Sequence, residues 1–200
     1  MSLLLLVLAC DQNPIEVVSR ASRTVKMKAQ HVAQEASREK MACDAEVPQP
    51  AVTGCLSGEL RCGEVIEGTT VGGESSWDDR FYAAKFCLPA LDDHGGPERV
   101  YRLVVPAYTH VSLWLESDCV DLDLIAASWT YDGRCPTESH SVPLCEADNN
   151  VGGDRVEIYE FKEREYLVAV DGKYRATGPF RLHVSCEELV RPEDRKPWPH

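Results

Sequence analysis

Nine cysteines spread along 200 residues set the first bound on this chain. Reduced compartments keep thiols few and reserve them for catalysis or metal, whereas scattered cysteines in this number read as a disulfide framework built under oxidising conditions. No Cys-x-x-Cys occurs, so the framework reads as structural rather than redox-active. Cys10 stands apart from the others, directly after the apolar run Leu3-Leu4-Leu5-Leu6-Val7-Leu8-Ala9. Setting it aside leaves an even set: Cys43, Cys55, Cys62, Cys87, Cys119, Cys135, Cys145 and Cys186.

Hydrophobic side chains make up 44% and charged ones 27%, enough to bury the core of one ordinary domain. The formal charge is −12, and the acidity is concentrated: residues 43–200 carry 29 acidic and 15 basic side chains. Such a surface lacks the clustered basic footprint that a phosphate backbone requires, which excludes nucleic acid as a partner.

The apolar run is far shorter than the roughly 20 residues that span a bilayer and reads as the end of a secretion signal. Val7-Leu8-Ala9-Cys10 resembles a bacterial lipobox. The resemblance implies cleavage before Cys10 and acylation of that residue, so residues 1–9 are expected to be a signal peptide and membrane lipid to be a partner through Cys10. No Lys or Arg precedes the run, a departure from the usual signal. Asn13-Pro14-Ile15-Glu16 then supplies a cap, a first-turn proline and an early acid, predicting a helix. Residues 10–42 are accordingly expected to be the attachment site and a helical stalk, and 43–57, with Pro48 and Pro50, a linker.

From about Leu56 the hydrophobic period changes to two. Val111, Leu113 and Leu115 alternate with Ser112, Trp114 and Glu116, and Phe180, Leu182 and Val184 with Arg181, His183 and Ser185. Tyr166, Val168 and Val170 repeat the pattern. Further strands are expected at Glu64–Thr69, Phe81–Leu88, Arg99–Pro106, Leu122–Trp129 and Arg155–Phe161. The fold class expected is therefore all-β, an antiparallel jelly-roll-like β-sandwich of about eight strands over 58–188, with a tail at 189–200.

The order of motifs resembles the bacterial pre-peptidase C-terminal domain family. The matching pieces are Gly68-Thr69-Thr70-Val71-Gly72-Gly73, Pro97-Glu98-Arg99-Val100-Tyr101-Arg102-Leu103, Asp121-Leu122-Asp123-Leu124, the acidic turn Cys145–Gly153, Tyr166–Gly172 and Gly178–Leu182. The resemblance covers about Cys62–Cys186 and implies a small β-sandwich of secreted bacterial proteins. Only about 50 residues precede the module, so the expected role is accessory rather than catalytic.

Asp121 and Asp123 sit two apart on a strand, and their carboxylates share a face where a cation or donors must offset repulsion. Asp148, Asn149, Asn150 and Asp154 add hard oxygen atoms in a Gly-rich loop, and Asp171 opens a turn. Together these are candidate Ca²⁺ ligands, although Asp and Asn also serve turns through side-chain-to-backbone bonds. The six histidines form no zinc spacing, and no nucleophile elbow or phosphate loop occurs. Trp77, Trp114, Trp129 and Tyr131 are the aromatics available to a ligand. Trp114 shares the outward face with Ser112 and Glu116, which makes it the candidate ligand-binding residue, set against ordinary cross-strand packing.

Among the cysteines, Cys135 and Cys145 flank one loop and are expected to pair; Cys62 and Cys186 bracket the module, leaving Cys87 with Cys119 and Cys43 with Cys55. The functional expectation is a non-enzymatic lipoprotein of the cell envelope whose acidic, disulfide-stapled sandwich binds or scaffolds an envelope protein or glycan. The alternative is a calcium- or carbohydrate-binding accessory module of an extracellular hydrolase system.

Overall fold

The computed structural model describes residues 55–85, 94–148 and 154–191, with Cys43, Val47 and Asp194. The chain divides into two units, 1–40 and 41–200, and every described residue belongs to the second. Cys10, the stalk, Cys87, Asn149, Asn150 and the side chain of Asp148 lie outside the described residues.

Strands form where the two-residue alternation predicts them: β2 (Val65–Thr69), β3 (Arg99–Val105), β4 (Thr109–Glu116), β5 (Leu122–Ser128), β7 (Arg155–Glu160), β8 (Arg164–Gly172) and β9 (Pro179–Glu188). Two short strands, β1 (Gly58–Leu60) and β6 (Cys145–Asp148), join them at sheet edges. They build a five-stranded sheet in the order β1-β3-β8-β5-β6 and a four-stranded sheet in the order β2-β9-β4-β7. Pairing is antiparallel except for β1, which runs parallel to β3. The two sheets enclose a core in which Val111, Leu113, Leu115, Phe180 and Leu182 meet Leu103, Leu122, Leu124, Val168 and Val170. This is the expected antiparallel sandwich.

Phe81–Leu88 is not the expected strand: Asp79–Lys85 is a helix, α1. Asp78 caps it, its Oδ1 accepting from the Arg80 and Phe81 amides at 3.1 Å each. Trp77, just before the cap, stacks its ring on that of Phe81 at 4.5 Å. With Tyr82 they fill a second core against Val100, Ile125, Ala127, Leu167 and Ala169, on the far side of the five-stranded sheet. The apolar spacing fits both periods over so short a run, and the cap decides between them.

Three described bridges tie these layers: Cys43–Cys119, Cys55–Cys135 and Cys62–Cys186. Only the last pair is the one expected. Cys135, Cys119, Cys43 and Cys55 each have a partner other than the one expected, and Cys145 is also disulfide-bonded. For Cys55 and Cys135 the physical reason is the second core: Leu56, Cys135 and Cys145 all pack on it, so segments distant in sequence converge there.

Replacing both Cys62 and Cys186 with serine is expected to lower unfolding stability by about 2–4 kcal/mol. Asp78→Ala, which removes the α1 cap, is expected to cost about 1 kcal/mol. Denaturant midpoints check both, and equal losses in the two variants would contradict this ranking.

Candidate functional site

The outer face of the five-stranded sheet carries an electrostatic conflict. Asp123 on β5 and Asp171 on β8 are directly opposed across the ladder, and both are 0% exposed. Like charges so placed repel, and burial removes the water that would screen them. Four groups from three segments answer this. Tyr82 on α1 donates to Asp171 Oδ2 at 2.6 Å, and the Gly172 amide donates to Asp171 Oδ1 at 2.7 Å. His94 Nε2 lies 2.7 Å from Asp123 Oδ2, and Lys173 Nζ lies 3.7 Å from Asp123 Oδ1 and 3.8 Å from Asp121 Oδ2.

The turn after β8 delivers that lysine inward. Tyr174 and Arg175 both adopt positive φ, at 53° and 60°. Gly172 permits the turn because a Cβ there would overlap the Ala176 carbonyl. The cation required by the Asp121 and Asp123 pair is thus present as an ammonium of the chain itself.

Proton affinities follow from this burial. Loss of solvent pushes Asp171 up to about 8, against the hydrogen bonds it accepts from Tyr82 and Gly172. Glu98, which accepts from the Ser76 and Trp77 amides, is pushed up to about 7 by the same cause. Burial alone would lower His94, but its bond to Asp123 and the carboxylates of Asp171, Asp123 and Asp79 hold it above its ordinary value. Tyr82 is raised well above its usual range by burial and by Asp171.

The other candidate calcium ligand described here is placed differently. Asp154 Oδ2 accepts from the Leu124 amide at 2.9 Å. Among the described residues, no group of three or more His, Cys, Asp or Glu side chains is arranged to hold a metal ion.

The four-stranded sheet offers the more accessible surface. Its outward side chains come from alternate positions of β7, β4 and β9, aligned by the ladders into rows. One row is Arg155, Trp114 and His183; the next is Glu157, Ser112 and Ser185; the third is Tyr159, His110 and Glu187. Trp114 stacks on His183 at 4.8 Å with 23° between planes, and His110 stacks on Tyr159 at 4.2 Å and 6°. Those separations match the spacing of neighbouring strands, so the rings stand upright on the sheet with their edges outward.

Glu157 links the rows, its Oε2 lying 2.6 Å from His110 Nε2 and its Oε1 accepting from Ser112 Oγ at 3.2 Å and from Arg155 Nε. Beyond Trp114, Arg181 pairs with Glu67 at 2.7 Å and Glu116 at 3.1 Å. Of the aromatics singled out in sequence, Trp114 is on this face and partly exposed, whereas Trp77 is buried and Trp129 and Tyr131 pack on the second core. His110, Tyr159 and Glu157 were not singled out. Their outward positions follow from strand alternation, but their meeting with Trp114 depends on β7 pairing with β4.

No family model matches the chain, and no curated protein matches it. The chain is similar to the solved pre-peptidase C-terminal domain of collagenase from Bacillus anthracis, at 10% identity and a TM-score of 0.40 over 70% of this chain and 100% of that one. It is also similar to PliG of Aeromonas hydrophila, a periplasmic inhibitor of g-type lysozyme, at 12% identity and a TM-score of 0.37 over 62% of this chain and 85% of that one.

His94, Glu98 and Asp171 all bind protons more tightly in the folded than in the unfolded chain. Their contribution is therefore complete at low pH and is lost as pH rises through their folded values. The melting temperature is expected to fall between about pH 5 and pH 8. Asp171→Asn is expected to flatten that slope, and scanning calorimetry of both proteins across the range checks it; a wild-type profile that rises instead would refute the assignment.

Proposed function

We propose that this chain is a non-enzymatic binding module of the bacterial cell envelope, held to membrane lipid through acylated Cys10, with the outward face of β7, β4 and β9 as its binding surface. The observation that carries the reading is the contrast between the two sheets. The middle strands of one, β5 and β8, are covered on both sides, whereas the other presents Trp114, Tyr159, His110 and His183 beside ionised groups on a disulfide-tied support. Aromatic and charged side chains on such a support are what a recognition surface needs, because little order has to be imposed on binding. The disulfides support an oxidising location. Among the described residues no helix is long and apolar enough to cross a membrane, and the lipobox-like Val7-Leu8-Ala9-Cys10 supplies the attachment in this reading.

The test is the intact mass of the protein recovered from bacterial membranes after expression with its own N-terminus, before and after reduction and alkylation. The expected mass lacks residues 1–9, carries added acyl chains and gains alkylation at the bridged cysteines only after reduction. An unprocessed soluble chain whose cysteines alkylate without reduction would overturn both the anchor and the compartment.

A further inference from the structure

The three rows on the four-stranded sheet differ in height. The middle row holds Ser112 and Ser185, two short side chains, while the rows on either side hold the Trp114–His183 and His110–Tyr159 stacks. The result is a trough over β4 and β9, floored by the two serines and closed at β7 by Glu157. Its walls are set by residues four positions apart on one strand, roughly 13 Å between Cα atoms. Such a width, less the wall side chains, accepts one extended chain lying crosswise to the strands.

The charge of the surface names the chemistry of that chain. Three accessible carboxylates, Glu67, Glu157 and Glu187, stand on this sheet with two guanidiniums, Arg155 and Arg181; Glu116 is buried beneath Arg181 and His183, and the whole chain carries −12. Glu157 closes the floor at the β7 end, and Glu187, 73% exposed, stands on the β9 side with His110 between them at 2.6 Å and 3.9 Å. Tyr159 is 58% exposed on the edge strand of the sheet; His110 covers one ring face, leaving the other turned off the sheet edge. A ring face beside carboxylates attracts ammonium or guanidinium groups.

We propose that this trough binds an extended, cationic peptide segment of a partner protein, with Lys or Arg side chains of the partner directed to Glu157, Glu187 and the open face of Tyr159. The proposal deepens the envelope-binding reading above and rests on it for the choice of face.

The experiment uses an oligolysine peptide titrated into the isotopically labelled protein, with affinity from calorimetry and location from the indole N–H resonance of Trp114. Glu187→Gln and Ser185→Arg test the trough, and Glu138→Gln and Asp132→Asn, exposed carboxylates outside it, change the global charge by the same single unit as Glu187→Gln. The expected result is a shifted Trp114 resonance on titration, with affinity about threefold or more weaker in Glu187→Gln, about tenfold weaker in Ser185→Arg and unchanged in the two remote variants. Equal weakening in all the carboxylate variants would mean attraction to an acidic surface in general and would overturn the proposal. A neutral oligosaccharide that shifts Trp114 where oligolysine does not would overturn the ligand class while leaving the binding face standing. No response to either would remove the face as well.

Discussion

Every residue of β5 is buried, and its neighbour β8 is buried from Tyr166 to Gly172, so the middle of the five-stranded sheet has no solvent side. Strands of that kind are usually found in parallel sheets packed between helices; here the sheet is mainly antiparallel and needs two different covers. The four-stranded sheet is one. The other is assembled from α1, the segment around Leu56 and the loop containing Trp129, Tyr131, Cys135 and Val142. Such a cover has little regular structure, and the Cys55–Cys135 bridge and the Tyr82–Asp171 hydrogen bond fix it where secondary structure does not. Of the carboxylates at the end of this layer, Asp171 is met by Tyr82 and the Gly172 amide, and Asp123 by His94 and Lys173.

The sandwich was legible because its strands are half-wet on one sheet. On β4 and β9 the pattern alternates cleanly, and burial follows it as far as Leu115 and Val184. On β5 the outer position Ile125 is as buried as Leu124, so alternation there carries no information about which face meets which core. The second core was illegible for that reason, and with it the helix: Phe81 and Tyr82 look like strand residues until Asp78 is recognised as a cap. The bridges failed in the same place. Sequence proximity favoured Cys135 with Cys145, but a cover drawn from several segments brings Cys55 to Cys135 across 80 residues.

The candidate sites divide along similar lines. Repulsion between Asp121 and Asp123 could be read from their spacing, but the cation that answers it comes from Lys173, some fifty positions away, aimed by a left-handed turn that no local pattern announces. Trp114 could be placed on an outward face from alternation alone. Its stack with His183 and the serine-floored gap beside it are properties of register, which appear only when β7, β4 and β9 are aligned. Local sequence thus identifies which side chains are available, and strand pairing decides which of them act together.

The Cys43–Cys119 bridge has a mechanical meaning. Tension applied to the chain upstream of Cys43 passes through the sulfur atoms to the corner between β4 and β5, in the middle of the fold, and residues 44–118 become a slack loop outside the path of the force. The weakest piece of sheet, the three-residue edge strand β1, is thereby shielded from being peeled away. A cut in the backbone anywhere within that loop would also leave the two halves joined. A load entering from the N-terminal side would thus bypass the sheet edge.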